Sequence, residues 1–564
     1  MKRHLGMMFF VVGLWSTAGA AQDLSTRNAA EAATKAIRPE QIRAHIRFLA
    51  DSLLQGREPG TPGYDIAARY VAAQLEGMGL HPGVSGGWYQ SVQLLKSVTD
   101  EAASSLALTV NGREQVLINE KDFAVYPAFA TPAKDGSRAE SDIHAPLVFV
   151  GFGVTAPQQK YDDYAGVDVH GKIVVVLGGA PSSFPSTVRA YYDDEVVKTK
   201  NALAHGAIGI LEIALPEDWK RYPWDWSVPQ LRTGMLWLDQ AGAPHNYFPE
   251  LRSGAILSEQ ATARLFTEAP KTLEEVFATA RVSKPQAFPL PASAHLRNAA
   301  VQRVVQSSNV IAELPGSDPK LRGQHVVFTS HIDHLGVCPA VDGDNVCHGA
   351  LDNASGVATL LEIARAYAHM SPPPRRSILF VFVTGEEMGL LGSDYFVHYP
   401  TVPLESIVAN VNMDCAPGEY YSMKDVIALG AEHSTLYEAV ATAGKLLGYE
   451  LTPDPMPEEN NFIRSDQYAF VLQGIPAVDV TDGIQAIDPK IDGLAYQKKW
   501  LVTRYHTPLD NIEQPIDFES MAKGAVMNFV IGYQVAQSDR IPEWNKGDFF
   551  GMIFGPRHAG GAGK

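Results

Sequence analysis

Seven side chains in the second half of this 564-residue chain have the types and spacing to hold metal ions and work on a water molecule. They are His331, Asp333, Asp352, the adjacent pair Glu386 and Glu387, Asp414 and His506. Asp352 lies in Gly349-Ala350-Leu351-Asp352-Asn353-Ala354-Ser355-Gly356, just ahead of a helix-like run from Val357 to Ala368. A carboxylate at a helix entrance is held rigidly, and Asn353 or Ser355 can cap the free backbone N–H groups there. Asp352 is therefore read as a bridge between two cations, with the other residues completing the shell. His331 and Asp333 are two apart, so the carboxylate can reach the second ring nitrogen and fix the tautomer. Adjacent Glu386 and Glu387 point in different directions, so one can bind metal while the other faces water as general base. Two divalent ions against the charges of Asp352, Glu387 and Asp414 leave a remainder that a bridging hydroxide would neutralise. Mixed nitrogen and oxygen donors suit zinc best, with cobalt or manganese able to take the same shell. Paired ions would sit ~3.5–4 Å apart.

These residues need elements that deliver them to one place. Val326 to Ser330, Ile378 to Thr384 and Ile407 to Met413 are short runs rich in Val, Ile and Phe. Each leads directly into a candidate ligand: His331, the glutamate pair and Asp414. In an open α/β sheet, ligands gather beyond the carboxyl ends of the strands. Helical runs from Val357 to Ala368, His433 to Leu447 and Phe518 to Ala536 alternate with them, giving an α/β class with a mixed sheet and helices on both faces.

Upstream, helices are expected over Glu40 to Leu53 and Tyr64 to Met78, with a loop from Gly56 to Gly63 between them. A hairpin is expected around Asn111-Gly112. From about residue 140 to 290 the texture becomes that of a separate, inserted β-rich domain, with strands at Pro146 to Val150, Ile173 to Leu177 and Ile208 to Ile213. Trp219, Tyr222, Trp224 and Trp226 crowd one stretch of it, either as a packed loop or as a wall of a substrate cleft. The expected organisation is a signal peptide over 1–20, the first part of the main domain over 21–139, the insertion over 140–290, the metal-bearing part over 291–545, and a flexible tail over 546–564.

A net charge of -17 leaves no basic stripe for nucleic acid. Lys2, Arg3 and His4, then an apolar run from Met7 to Trp15 and the small residues Ala18-Gly19-Ala20, describe a secretory signal cut before Ala21. No later stretch offers a membrane span, so the mature protein is expected to be soluble and exported, periplasmic or secreted. Export permits a disulfide between Cys338 and Cys347, while Cys415 is read as a buried free thiol. HExxH and GxxxxGK[ST] are both lacking, so zincin and nucleotide-binding chemistry find no support.

The ordered set His331-x-Asp333, Gly349 to Gly356, Gly385-Glu386-Glu387-x-Gly389-Leu390, Asn412-Met413-Asp414 and Tyr505-His506-Thr507 resembles the co-catalytic di-zinc aminopeptidase family. That family includes exported bacterial aminopeptidases and is related to glutamate carboxypeptidase, the transferrin receptor and glutaminyl cyclases. The resemblance covers about Ser307 to Asn511. Arg57 to Gly63 is similar to the family's N-terminal segment, and the insertion more loosely resembles a protease-associated domain. It implies a fold of the zinc aminopeptidase, phosphorylase/hydrolase-like type and two zinc ions per chain. One would sit on His331 and Asp414, the other on Glu387 and His506, with Asp352 bridging, Glu386 as base and Asp333 orienting His331. It also implies a cis peptide at Asp352–Asn353. Leu351 departs from the family, where a polar residue is common. The stretch Arg464-Ser465-Asp466-Gln467-Tyr468 resembles the substrate-side loop, which would put Arg464 and Tyr468 against substrate, Tyr468 toward an oxyanion. His334 and His348 are expected to support the ligands or to face solvent. The expected activity is release of N-terminal residues from peptides. A carboxypeptidase or a glutaminyl-cyclase-like enzyme on the same metals is the alternative, although Arg464 alone is a thin basis for binding a C-terminal carboxylate.

Overall fold

The computed structural model describes residues 12–131 and 137–555, with side chains from residue 24 onward. Its centre is a run of four parallel strands: Ser377–Val383 beside His325–His331, then Ile407–Asn412, then Ala477–Asp482. Asp425–Leu429 closes that side antiparallel. Both faces are covered, so the strands read as nearly continuous apolar runs. Ile378, Phe380 and Phe382 point into one core and Leu379, Val381 and Val383 into the other. Helices Pro39–Leu49, Gly356–Ala368 and Phe518–Gln537 pack together over the first face, while Leu391–His398 and Gln467–Leu472 cover the second.

On the other side of Ser377–Val383 lies the element that sequence reading missed, a strand of 27 residues from Phe288 to Leu314. One end pairs with Ser377–Val383 and with Tyr89–Thr99, the other with Ser105–Val110 and Arg138–Phe149. Pro285, Pro289 and Pro291 argue in sequence against a continuous strand here. The structure accommodates Pro289 and Pro291 at an irregularity where the register shifts between Pro289 and Ser293, one of the few places in a sheet that tolerates proline.

This strand carries a second lobe. Ile173–Leu177, Gly209–Ile213 and Ser253–Leu257 run parallel in its sheet, and Phe123–Val125 pairs antiparallel with the last of these. The strand pairings thus take residues from about 105 into this lobe, ahead of the start expected at 140. The tryptophan stretch forms two short helices, Pro216–Arg221 and Trp224–Gln230. Trp219 meets Trp224 edge-on and Tyr222 stacks on Trp226.

Val12–Ala36 is a single helix, so the expected cleavage point before Ala21 falls inside a helical stretch. Residues 1–11 of the expected signal lie outside the described residues. No helix among the described residues is long and apolar enough to cross a membrane. The expected flexible tail is partly structured, because Phe549–Ile553 is helical with Phe549 and Phe550 buried. Its remainder, 556–564, lies outside the described residues.

Candidate metal centre

The carboxyl edge of the parallel strands gathers the candidate ligands. His331 ends its strand fully buried, and its Nδ1 is 3.2 Å from the backbone carbonyl of Asp333. Donation there leaves Nε2 as the free nitrogen, which lies 3.2 Å from Asp414 Oδ1, 3.5 Å from Asp352 Oδ1 and 3.8 Å from Glu386 Oε2. His506 is arranged in the same way. Its Nδ1 faces Gln230 Oε1 at 3.4 Å, and its Nε2 lies 3.2 Å from Asp352 Oδ2 and 3.0 Å from Glu387 Oε2. The two oxygens of Asp352 thus face two different imidazoles.

These spacings have a chemical meaning. Ligands held tetrahedrally at about 2.0–2.1 Å from a zinc ion are about 3.3 Å from one another. His331 Nε2 stands at about that distance from Asp352 and Asp414, and His506 Nε2 from Asp352 and Glu387. His506 Nε2 is buried without a hydrogen-bond partner, as befits a ligand nitrogen. The donor set fits two divalent cations sharing Asp352.

Asp333 stands differently from expectation. Its carboxylate is 3.9 Å from His331 Nδ1, farther than its own backbone carbonyl. Instead the carboxylate accepts from the backbone N–H groups of Glu386 (3.3 Å) and Glu387 (3.4 Å), tying the glutamate turn to the strand beside it. Burial pushes Asp333 up to about 7, with His331 opposing and Glu387 reinforcing the rise. The glutamate pair is split. Burial, opposed by His331 and reinforced by Asp414, pushes Glu386 well above the usual carboxylate range. Burial acts on Glu387 too, but His506 and His334 outweigh it and hold Glu387 well below that range.

Local chemistry explains the Asp352 turn. Its peptide bond to Asn353 is cis. Asn353, rather than Ser355, accepts from the helix, taking the Gly356 N–H at 2.9 Å, while Asn353 Nδ2 reaches the Met413 carbonyl at 2.9 Å. The Ser355 hydroxyl donates back to the Leu351 carbonyl at 2.6 Å. Gly349 is required: its φ is 57°, and a Cβ there would fall 2.2 Å from the Asp352 carbonyl oxygen. Leu351 is fully buried, with its N–H held 3.0 Å from Asp510 Oδ1.

Two contributors escaped sequence reading, and a third was read only as a supporting or solvent-facing group. Asp510 also accepts the Asp352 N–H at 3.1 Å, so it fixes the backbone of the bridging residue. His334, set aside as a supporting or solvent-facing group, is fully buried with Nδ1 on Glu387 Oε1 and Nε2 without a partner. Arg57 is buried and donates to the carbonyls of Ile332 (2.8 Å), His348 (2.7 Å) and Gly349 (3.0 Å), holding the His331 and Asp352 loops together. Burial lowers its guanidinium to about 10, still charged at neutral pH. His348 bonds the Ala50 carbonyl and Asp344, away from the ligands.

Tyr468 does not reach the centre. It is 2 % exposed and packs in the core against Phe462, because its helix turns that face inward. Tyr505 instead lines the pocket, stacked on His506 at 3.7 Å with its hydroxyl 2.9 Å from Arg464 Nη2. The pocket, about 140 Å³, is walled by Ile427, Leu429, Met456, Arg464 and Tyr505 beside Asp352 and Glu386. Cys338 and Cys347 form a disulfide in the loop between His331 and Asp352. Cys415 is free, half-buried rather than fully buried, and burial pushes its thiol up, which makes it a poor nucleophile.

A mixed α/β sheet thus brings carboxylates and imidazoles together at its carboxyl edge as a candidate centre for two divalent cations. Residues 309–529 match Peptidase family M28. Aminopeptidase YwaD of Bacillus subtilis (strain 168) is 26 % identical over 221 residues, 39 % of this chain and 42 % of that protein. A "Probable zinc metalloprotease" of Pyrenophora teres f. teres (strain 0-1) is 34 % identical over 110 residues, 20 % of this chain and 23 % of its own. The matched region thus spans less than half the length of these curated relatives. The structure of an aminopeptidase from Aneurinibacillus sp. strain AM-1 superposes with a TM-score of 0.52 at 20 % identity, covering 91 % of this chain and 96 % of that one. The two share a fold.

Proposed function

We propose that the chain is an exported two-zinc aminopeptidase that releases the N-terminal residue of a peptide. One observation carries the reading: the oxygens of Asp352 face the free nitrogens of both His331 and His506, at 3.5 and 3.2 Å. His331 and Asp414 would hold one ion, Glu387 and His506 the other, with Asp352 between them. When bound, zinc supplies Lewis acidity toward the peptide carbonyl and makes water a stronger acid. Glu386, buried at the pocket floor, takes the proton of the attacking water and passes it to the leaving amine; its raised proton affinity suits both roles. Asp333 and Asp510 hold the backbones of the glutamate turn and of Asp352. The names of the relatives support zinc and aminopeptidase chemistry.

The carboxylates Asp414 and Asp454 at the pocket favour a protonated substrate amine. Arg464, the cation a carboxypeptidase would need, is engaged by the Tyr505 hydroxyl and the Glu459 carbonyl. The basic start of the chain and the Cys338–Cys347 disulfide support export, with the mature protein beginning at Ala21. N-terminal sequencing of the secreted protein checks this.

The deciding experiment measures metal content together with hydrolysis of leucine p-nitroanilide and its N-acetylated form. Two zinc ions per chain and cleavage of the free-amine substrate alone are expected. Equal cleavage of both substrates, or a single ion, would overturn the reading.

A further inference from the structure

A second group of metal-type side chains lies where the two lobes meet, sharing no residue with the centre above. His245, Asp394 and His398 each offer a donor atom within 4.8 Å of the others. His245 follows strand Thr233–Trp237 of the second lobe; Asp394 and His398 are one turn apart on helix Leu391–His398, which begins shortly after the Glu386–Glu387 turn.

We propose that His245, Asp394 and His398 bind a further divalent cation of the zinc type, pinning the second lobe's loop to that helix. His245 Nε2 lies 3.3 Å from Asp394 Oδ2, and His398 Nδ1 lies 3.3 Å from Asp394 Oδ1. The His245–Asp394 distance equals the edge of a zinc tetrahedron, about 3.3 Å. It also matches the spacing between donors at the principal centre.

The surroundings fix the donors as metal sites require. Trp237 stacks flat on the His245 ring, with centroids 4.1 Å apart and planes 9° apart, and its indole N–H donates to Asp394 Oδ2 at 2.7 Å. The main chain reinforces this, with the His245 N–H on the Trp237 carbonyl at 2.9 Å. His398 Nδ1 lies 2.7 Å from the Asp394 backbone carbonyl, and donation there leaves Nε2 unprotonated. The side chains of His245, Asp394 and His398 are 29 %, 18 % and 32 % exposed, so water can complete a fourth position.

Two imidazoles and one carboxylate suit zinc better than calcium or magnesium. His245 and Asp394 also line a cavity of about 730 Å³ between the lobes, which extends to Gln230 and Met388 beside the principal centre. A cation here would brace one wall of that cavity.

The test is elemental analysis of the full chain, saturated with zinc and freed of excess by gel filtration, for wild type, His245→Ala and His398→Ala. Each variant should carry one fewer zinc per chain than wild type. The count at the principal centre cancels in this difference, so the result does not depend on how many ions that centre holds. His245→Ala removes a stacked ring and could unfold its loop; His398→Ala alters an exposed position and keeps the test decisive. Equal zinc in wild type and folded His398→Ala would overturn the proposal and leave the three residues as an ion-pair network.

Discussion

Arg57 gives several backbone carbonyls a charged donor inside the protein, and those carbonyls belong to the loops carrying His331 and Asp352. Replacing it with Met leaves them unsatisfied, at a cost of about 1–3 kcal/mol for each buried group. Arg57→Met should therefore lower stability by about 3 kcal/mol or more in denaturant unfolding, and should weaken zinc retention although Arg57 touches no ion. Glu386→Ala should keep the full zinc complement while activity falls by about 100-fold or more; activity near wild type would remove Glu386 from its role. Asp352→Ala should lose zinc as well as turnover. Most of the ligand candidates were legible in the sequence because they follow a recognisable apolar strand or precede a helix; His506, in a turn after helix Gly493–Thr503, was legible only through the family resemblance. Asp510 was not legible, because its partner, the Asp352 backbone, lies 158 residues away, and His334 was legible only as a supporting or solvent-facing group because Glu387 lies 53 residues away. The pocket tyrosine was misassigned for a related reason. Both Tyr468 and Tyr505 sit near candidate residues in sequence, and only the direction each helix or loop turns its side chain decides which faces the site.

At the scale of elements, apolar pattern served well where a strand or helix is bounded by clear punctuation. Ile173–Leu177 occupies the residues expected, and helix Phe518–Gln537 extends the expected run by one. It failed at Phe288–Leu314, where prolines that signal a break sit at an irregularity within one strand. It also failed at Phe549–Ile553, a helix too short to show a period. That helix is docked through Asp548, whose Oδ2 lies 2.6 Å from His433 Nδ1. Burial would raise the Asp548 carboxyl, but the His433 contact and backbone N–H donors hold it below the ordinary 3.8. A depressed folded value means that the unfolded state binds the proton first on acidification. Docking stability should therefore be complete above the ordinary value and be lost as pH falls below it, through the depressed folded one. Fluorescence of Trp544, whose indole bonds the Gly474 carbonyl at 2.8 Å, would follow the release. Asp548→Asn should remove this acid step and cost about 1.5 kcal/mol near neutrality.

Across the whole molecule, the second lobe grips the segment that leads to the pocket. Arg221 reaches the Glu458 carbonyl at 2.9 Å and Glu459 Oε1 at 3.2 Å, and Arg189 reaches the Pro457 carbonyl at 3.1 Å. Arg464, a few residues on, then meets Tyr505 and so His506. Arg221→Ala should lower kcat/KM several-fold with zinc content unchanged, detected by steady-state kinetics beside elemental analysis. The tryptophan stretch belongs to the same device, since its second helix ends at Gln230 beside His506.

The strand from Phe288 to Leu314 makes hydrogen bonds in both lobes, with partners drawn from residues 89–110, 138–149 and 377–383. Neither lobe can complete its sheet without it, and it cannot be divided between them. Unfolding should therefore be cooperative across the pair: one calorimetric transition rather than two, and no protease-resistant fragment corresponding to either lobe alone. Because these pairings join segments of the chain some 200 residues apart, refolding should be slow as well as concerted, as expected for sheets built from distant partners.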